Sequence, residues 1–388
     1  MSTSLWGPEL LPAKAAFAVG DEITVELRGL TPSAESPVAV SLWRDGELVG
    51  SVMADADAAS FGTVPAGRYG VEARSGEALL ARTAVAVGET GMRYGFVADY
   101  RPGRDVAPVV DFARRLHLTD VQFYDWAYRH ADLNGGGEQY DDALGQPVSL
   151  DTVRRMVREL AAVGSRSLGY AAVYAVGNAE REQWAEPILL QADGRPWMLA
   201  DFLTILDPSD PTWLRHFGED LELAVDRMGF AGFHLDQYGY PKRARRSDGT
   251  VVDLADGFAA MIAQVRRVLP EARLVFNQVN DFPTWRTGAS PQDAVYVEVW
   301  PPHTTLADLG RLTTASRRHG KPVVISAYLK PFEGDDLDGA DHAAALVMAT
   351  VFSHGGSHLL LGEADRLLTD PYYVRNHAMR PATARRLR

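Results

Sequence analysis

Eight short apolar segments recur along most of this chain, each followed by a polar loop or an amphipathic helix. This alternation constrains the fold more than any other feature. The segments are YGFVADY, DVQFYDW, SLGYAAVY, GFHLD, RLVFNQV, AVYVEVW, PVVISAYL and HLLLG. Between several of them apolar residues return at helical spacing, as in Val153, Met156, Val157, Leu160 and Val163, or Phe258, Met261, Ile262, Val265 and Leu269. Short apolar strands joined by such helices predict a parallel sheet with helical crossovers. Eight units are what a (β/α)8 TIM barrel requires. The connection Asn280 to Asp293 is short and carries Pro and Gly, so its helix is expected to be reduced. The last helix is expected after Asp370, with the basic tail RPATARRLR frayed.

The first 90 or so residues have a different texture. Ile23, Val25 and Leu27 alternate with charged residues, and PVAVSLW and ELVGSVM flank Asp45-Gly46, a hairpin dipeptide. RYGVEAR and LLARTAVAV add further strands. This spacing predicts an immunoglobulin-like β-sandwich over 1–90, followed by a barrel over 91–388 that carries the chemistry. No nucleophile, metal cluster or phosphate loop stands out in the first unit.

Composition narrows the partners. A net charge of −12 disfavours nucleic acid and anionic membranes, whereas neutral sugars are indifferent to it. The absence of cysteine removes disulfides, thiolate catalysis and cysteine-held metals. No apolar run approaches the roughly 20 residues that span a bilayer. The N-terminal residues lack a signal-peptide pattern, so the sequence as written reads as cytoplasmic; a secreted form with its leader removed would read the same.

In a barrel, chemistry sits where strands end. Asp236 ends GFHLD, Glu298 lies near the end of YVEVW, and Asp125 near the end of QFYDW. Asp99, Asn277 and Tyr328 occupy the ends of three further strands. Two carboxylates on separate strand ends meet the needs of glycosidic cleavage, one protonating the departing oxygen and one attacking carbon or activating water. Aromatic residues accompany them, with Tyr124 and Trp126 beside Asp125, Tyr238 after Asp236 and Trp300 after Glu298. Such rings stack on pyranose faces, although each taken alone is more often core. His234 and Asp236 also have the spacing of a His-x-Asp metal pair, but alternation allows His234 to orient the site from behind. No HExxH or second HxH accompanies the pair, and we expect no metal and no organic cofactor. His130, His303 and His342 read as loop or helix histidines, with His130 the one placed to touch substrate, and the run Lys242 to Arg246 as a solvated loop whose position just after Asp236 leaves a substrate-facing role open. A sugar-binding barrel without catalysis and a metal-dependent barrel hydrolase stand as alternatives.

RYGFVADY, QFYDWAYRH, GFAGFHLDQYG, LVFNQV, YVEVWPP and LLLGEADRLLTDPYY together resemble glycoside hydrolase family 66, the dextranases and their cyclising relatives, from about Tyr94 to Tyr373. The resemblance implies that Asp236 is the nucleophile and Glu298 the acid/base of a retaining reaction on α-1,6-linked glucan. It further implies that Asp125 binds substrate, with Tyr124, His234, Asn277 and Trp300 in support. An immunoglobulin-like domain ahead of the barrel is part of the same layout. The connection from Tyr328 to Asp341 is too short for the carbohydrate-binding insertion of the cyclising enzymes, which favours hydrolysis.

Overall fold

The computed structural model describes residues 5–88 and 91–387. The chain begins with two antiparallel sheets. One joins Glu9–Pro12, Glu22–Arg28 and Ala58–Thr63; the other joins Glu47–Met53, Ala39–Arg44, Gly67–Ser75 and Ala78–Val87 in that order. Ile23, Val25 and Leu27 from the first meet Val40, Leu42, Val71 and Val85 from the second in a common core. The Asp45-Gly46 turn has both residues at positive φ, 51° and 86°, and pairs Arg44 with Glu47. That backbone matches the twist of the flanking strands, which is why this dipeptide makes tight hairpins.

From Tyr94 onward the main sheet is built of parallel, mostly buried strands. Tyr94–Val97, Asp120–Phe123, Arg166–Ala172, Gly232–Asp236, Arg273–Asn277, Ala294–Glu298, Val323–Ser326 and Ser357–His358 pair in succession, each with the next. The two ends of this curled sheet are linked by the chain itself. Ser357–His358 lies beside the seventh strand, while Leu361–Gly362, three residues further on, lies beside the first. Helices Leu150–Ala162 and Leu254–Val268 bury the apolar stripes read from sequence, with Val163 and Leu269 as their C-caps. Ser149, Asp210 and Asp253 cap helices by accepting backbone N–H groups, which fixes where each helix begins.

The connection after the fifth strand holds only a four-residue helix, Thr284–Thr287, as its length implied. Two expectations are overturned. The run Lys242 to Arg246 is solvated at Lys242, Arg243 and Arg245 but is not a loop, because Arg243–Arg245 is a strand paired with Val251–Asp253, and Arg246 pairs with Asp207 and with Asp210 at 3.2 Å. The tail is not frayed, because Pro381–Leu387 is a helix. Its cause is Asp341, fully buried, which accepts hydrogen bonds from Thr383 and Arg380 at 2.5 and 2.6 Å. A buried carboxylate needs such donors, and these two come from the tail.

The antiparallel unit clamps onto the first helix, Ala107–Leu116. Arg28 pairs with Asp111 at 2.5 Å, and Arg115 pairs with the buried Glu9 at 2.8 Å. Under the curled sheet, at the ends away from the site, Asp120 has no exposed surface and is held by Arg166 at 2.9 Å and Arg273 at 3.4 Å. These ties join the second, third and fifth strands through one charge. Asp120→Ala removes the acceptor of Arg166 and the counter-charge of Arg273, so we expect a loss of about 1–3 kcal/mol. A denaturant midpoint shifted at unchanged slope would register it; an unshifted midpoint would contradict this role.

Candidate active site

Register places the chemistry. In parallel strands, paired residues point to the same face. His234 pairs with Val275 and Asn277 with Tyr296, while Glu298 pairs with Ser326. Asp236, Asn277 and Glu298 therefore project to the inner face near the C-terminal ends of three successive strands. There Asn277, 2% exposed, donates from Nδ2 to Asp236 Oδ1 at 2.7 Å and to Glu298 Oε2 at 2.9 Å. This orientation leaves its own Oδ1 buried without a partner. The loss, about 1–3 kcal/mol for an orphaned acceptor, is offset by two bonds to carboxylates. Each carboxylate has a second donor: Tyr170 reaches Asp236 Oδ2 at 2.7 Å, and Tyr328 reaches Glu298 Oε1 at 2.6 Å.

Burial and the neighbouring Glu298 carboxylate push Asp236 up to about 7, against the lowering effect of Asn277 and Tyr170. Burial raises Glu298 as well, opposed by Tyr328, Asn277 and Trp300. Burial and mutual proximity thus oppose ionisation of both carboxyl groups at once.

The pair opens into a cavity of about 570 Å³, within the range of small-ligand sites. Asp125, Tyr124, Tyr238 and Trp300 are among the residues that line it. Asp125 adopts a left-handed backbone, φ 44°, and burial together with Asp142 and Asp236 pushes its carboxyl up to about 8. It therefore enters the cavity largely protonated, able to donate as well as accept. Tyr124 stacks on Tyr373 at 4.4 Å, and Trp300 tilts against Tyr328 at 5.5 Å, which holds both rings in place. His130 also lines the cavity, and burial lowers it to about 4, so it is neutral. His303 lies in a loop and His342 in the helix Leu337–Ser353.

Trp126 and Asp99, expected in the site, lie elsewhere, whereas His234 lies behind it, as strand alternation allows. Trp126 has no exposed surface; its indole donates to the Tyr170 carbonyl at 3.2 Å and packs on Phe230 at 4.9 Å, so it is core. His234 is 2% exposed beneath the pair, bonded to Tyr94 at 3.0 Å, stacked with Tyr170 and edge-on to Tyr296. Burial lowers it to about 3, and it supports the site from below without reaching the cavity. Asp99 faces a separate cavity of about 530 Å³. The metal reading gains nothing, since no group of three or more possible ligands occurs among the described residues.

Sequence reasoning missed Tyr170, the donor behind Asp236, because its inward direction depends on its pairing with His234. It also missed the cavity walls. Leu144 comes from the hairpin Gln139–Asp141/Pro147–Ser149, and Leu199, Phe202 and Leu203 from a small sheet inserted after the third strand. Lys242, Phe282 and Tyr372 complete the rim. Gln237, fully buried, clips the loop after the fourth strand to the next by donating to the carbonyls of Asn277 and Phe282.

Two outcomes follow. Trp126→Ala should lower stability by about 3–5 kcal/mol, seen as a fall in melting temperature; an unchanged melt would return Trp126 to the surface. Asp236 has a folded pKa above its unfolded one, so it favours the folded state most at low pH. That contribution is lost as pH rises from about 4 through about 7. Chemical denaturation across this window should fall more steeply with pH for the native chain than for Asp236→Asn. Equal slopes would contradict the raised value.

A search against family models matches residues 58–385 to glycosyl hydrolase family 66. A cycloisomaltooligosaccharide glucanotransferase of Niallia circulans is 24% identical over 267 residues, covering 61% of this chain and 28% of that protein. A dextranase of Streptococcus salivarius is 28% identical over 189 residues, covering 39% and 23%. Among solved structures, a Paenibacillus cycloisomaltooligosaccharide glucanotransferase complexed with cycloisomaltoheptaose superposes with a TM-score of 0.73 at 18% identity, over 83% of this chain and 54% of that one. The chain thus spans less than a third of the curated relatives it matches and about half of that solved one. With the match running from the last strands of the antiparallel unit to the final helix, the chain belongs to glycosyl hydrolase family 66.

Proposed function

We propose that this chain is a retaining glycoside hydrolase that cleaves α-1,6-glucosidic linkages in dextran or isomaltooligosaccharides. The observation that carries the reading is the single Asn277 nitrogen bonded to both Asp236 and Glu298. One atom touching two oxygens at 2.7 and 2.9 Å keeps those oxygens short of the roughly 6.5–9.5 Å that inverting enzymes need for a water. The spacing suits direct attack on the anomeric carbon.

In this mechanism the one proton of the pair resides on Glu298 when substrate is bound. Glu298 gives it to the departing glycosidic oxygen while Asp236 attacks the anomeric carbon. Tyr170 and Asn277, both donating to Asp236, stabilise its ionised form and hold its oxygens in place. Glu298, now a carboxylate, takes a proton from water, and the resulting hydroxide displaces Asp236 and restores the starting state. No metal or organic cofactor enters these steps. The curled sheet is then a (β/α)8 barrel over 91–388 preceded by an immunoglobulin-like sandwich over 1–90. The eight parallel strands and the two-sheet core support that division. The α-1,6 preference rests on family membership and on the substrates in the relatives' names.

Incubation with dextran and with isomaltooligosaccharides, followed by chromatography, should yield shorter linear products. Glu298→Gln should lower turnover by about 10²–10⁴-fold, and Asp236→Asn should reduce it to background, both in folded protein by circular dichroism. A folded Asp236→Asn chain with full turnover would sink the assignment. Binding of the oligosaccharides without any product would favour a non-catalytic glycan-binding chain instead.

A further inference from the structure

The cavity that Asp99 faces is nearly as large as the catalytic one, at about 530 Å³ against about 570 Å³. Its floor is built where the first strand and the last strand segment meet. Glu363, 5% exposed and at φ 50°, accepts from the backbone N–H groups of Ala98 and Asp99, the latter at 2.8 Å, and pairs with the buried Arg104. A non-glycine residue in the left-handed region costs on the order of 1–3 kcal/mol and persists only where its surroundings enforce it. Here the enforced geometry fixes the Asp99 backbone under the opening.

The chemistry of the walls indicates a neutral, hydroxyl-bearing occupant. Arg104 is matched by Glu363 and Arg101 by Asp99, so the built-in charges cancel locally. Carboxylate, guanidinium and amide groups remain along the walls and rim, including Arg366, Gln146 and Asn376. Such mixed donors and acceptors suit vicinal hydroxyls.

Position ties this cavity to the first. Two segments contribute residues to both cavities. Leu144 faces the catalytic cavity and Gln146 the second one, while Tyr372 faces the catalytic cavity and Asn376 the second. Asp142 pins the first segment by accepting the N–H groups of Leu144 and Gln146, both at 2.8 Å. Sharing these two segments, the cavities are neighbours on the same face of the chain's connecting loops, which a flexible glucan can follow from one to the other.

From these observations we infer that the cavity of Asp99, Arg101 and Arg366 is a non-catalytic accessory site for a glucosyl segment of the α-glucan. The inference rests on the function proposed above. Its consequence is effective concentration: a chain held at two sites is retained longer than one held at either alone.

The test is calorimetric titration of the Glu298→Gln chain with isomaltotriose, which binds without being consumed. Two events are expected, and adding Asp99→Ala with Arg366→Ala should weaken one of them at least tenfold while the other persists. Arg366→Ala alone changes an exposed side chain, so it guards against misfolding of the multiple variant; it should weaken the same event several-fold. A single event in the Glu298→Gln chain, or two events untouched by the rim variants, overturns the inference and leaves the function intact. Displacement of the weaker event by inorganic phosphate overturns it in favour of an anion site. No binding at all contradicts the α-glucan reading itself, and this inference with it.

Discussion

The site depends on one amide. Asn277 stands between two carboxyl groups that would otherwise repel each other in a buried space, and it donates to both. Because it donates two hydrogens in a fixed plane, it sets their separation as well as their orientation. Everything beneath serves that placement. Register brings Asn277 level with its neighbours, and Gln237 locks its own carbonyl to the adjoining loop. The layer of Tyr94, His234, Tyr170 and Tyr296 supports the pair with closely packed rings.

This arrangement is costly for folding. Two half-buried carboxyl groups with raised proton affinity, a third at Asp125, and an orphaned amide oxygen are gathered in one place. The remainder of the chain offsets them through buried aromatic packing, paired charges such as Asp120 with its two arginines, and helices started by side-chain caps. Concentrating unfavourable groups in one cavity while satisfying them elsewhere is how a stable scaffold carries a reactive centre.

How much of this was legible in the sequence follows from which signals are local. Six of the eight parallel strands lie within their apolar segments, because burial on both faces writes itself as continuous apolar residues; the third starts one residue early at Arg166, and the last, half-buried at Ser357–His358, meets its segment only at His358. Asp236 and Glu298 were legible because a carboxylate beside Val or Leu in such a run contradicts its surroundings. Trp126 misled, because strand alternation fails where the chain turns, and Asp125 turns it at a positive φ. Tyr170 and the cavity walls were not legible, since they depend on pairing between distant strands and on short hairpins in the connecting segments. Asp99 read as a site residue by its strand-end position, yet it lines the neighbouring cavity, where Glu363 from the closing end of the sheet holds its backbone N–H.

The central claim is that Asp236 forms a bond to the sugar while Glu298 manages the proton. Rapid quenching of the chain with an activated 2-fluoro-α-glucoside, followed by peptide mass analysis, tests it directly. A mass gain of one fluoroglucosyl unit on the peptide that carries Asp236 is the expected result. An unmodified peptide, together with products released in the β configuration, would contradict the account.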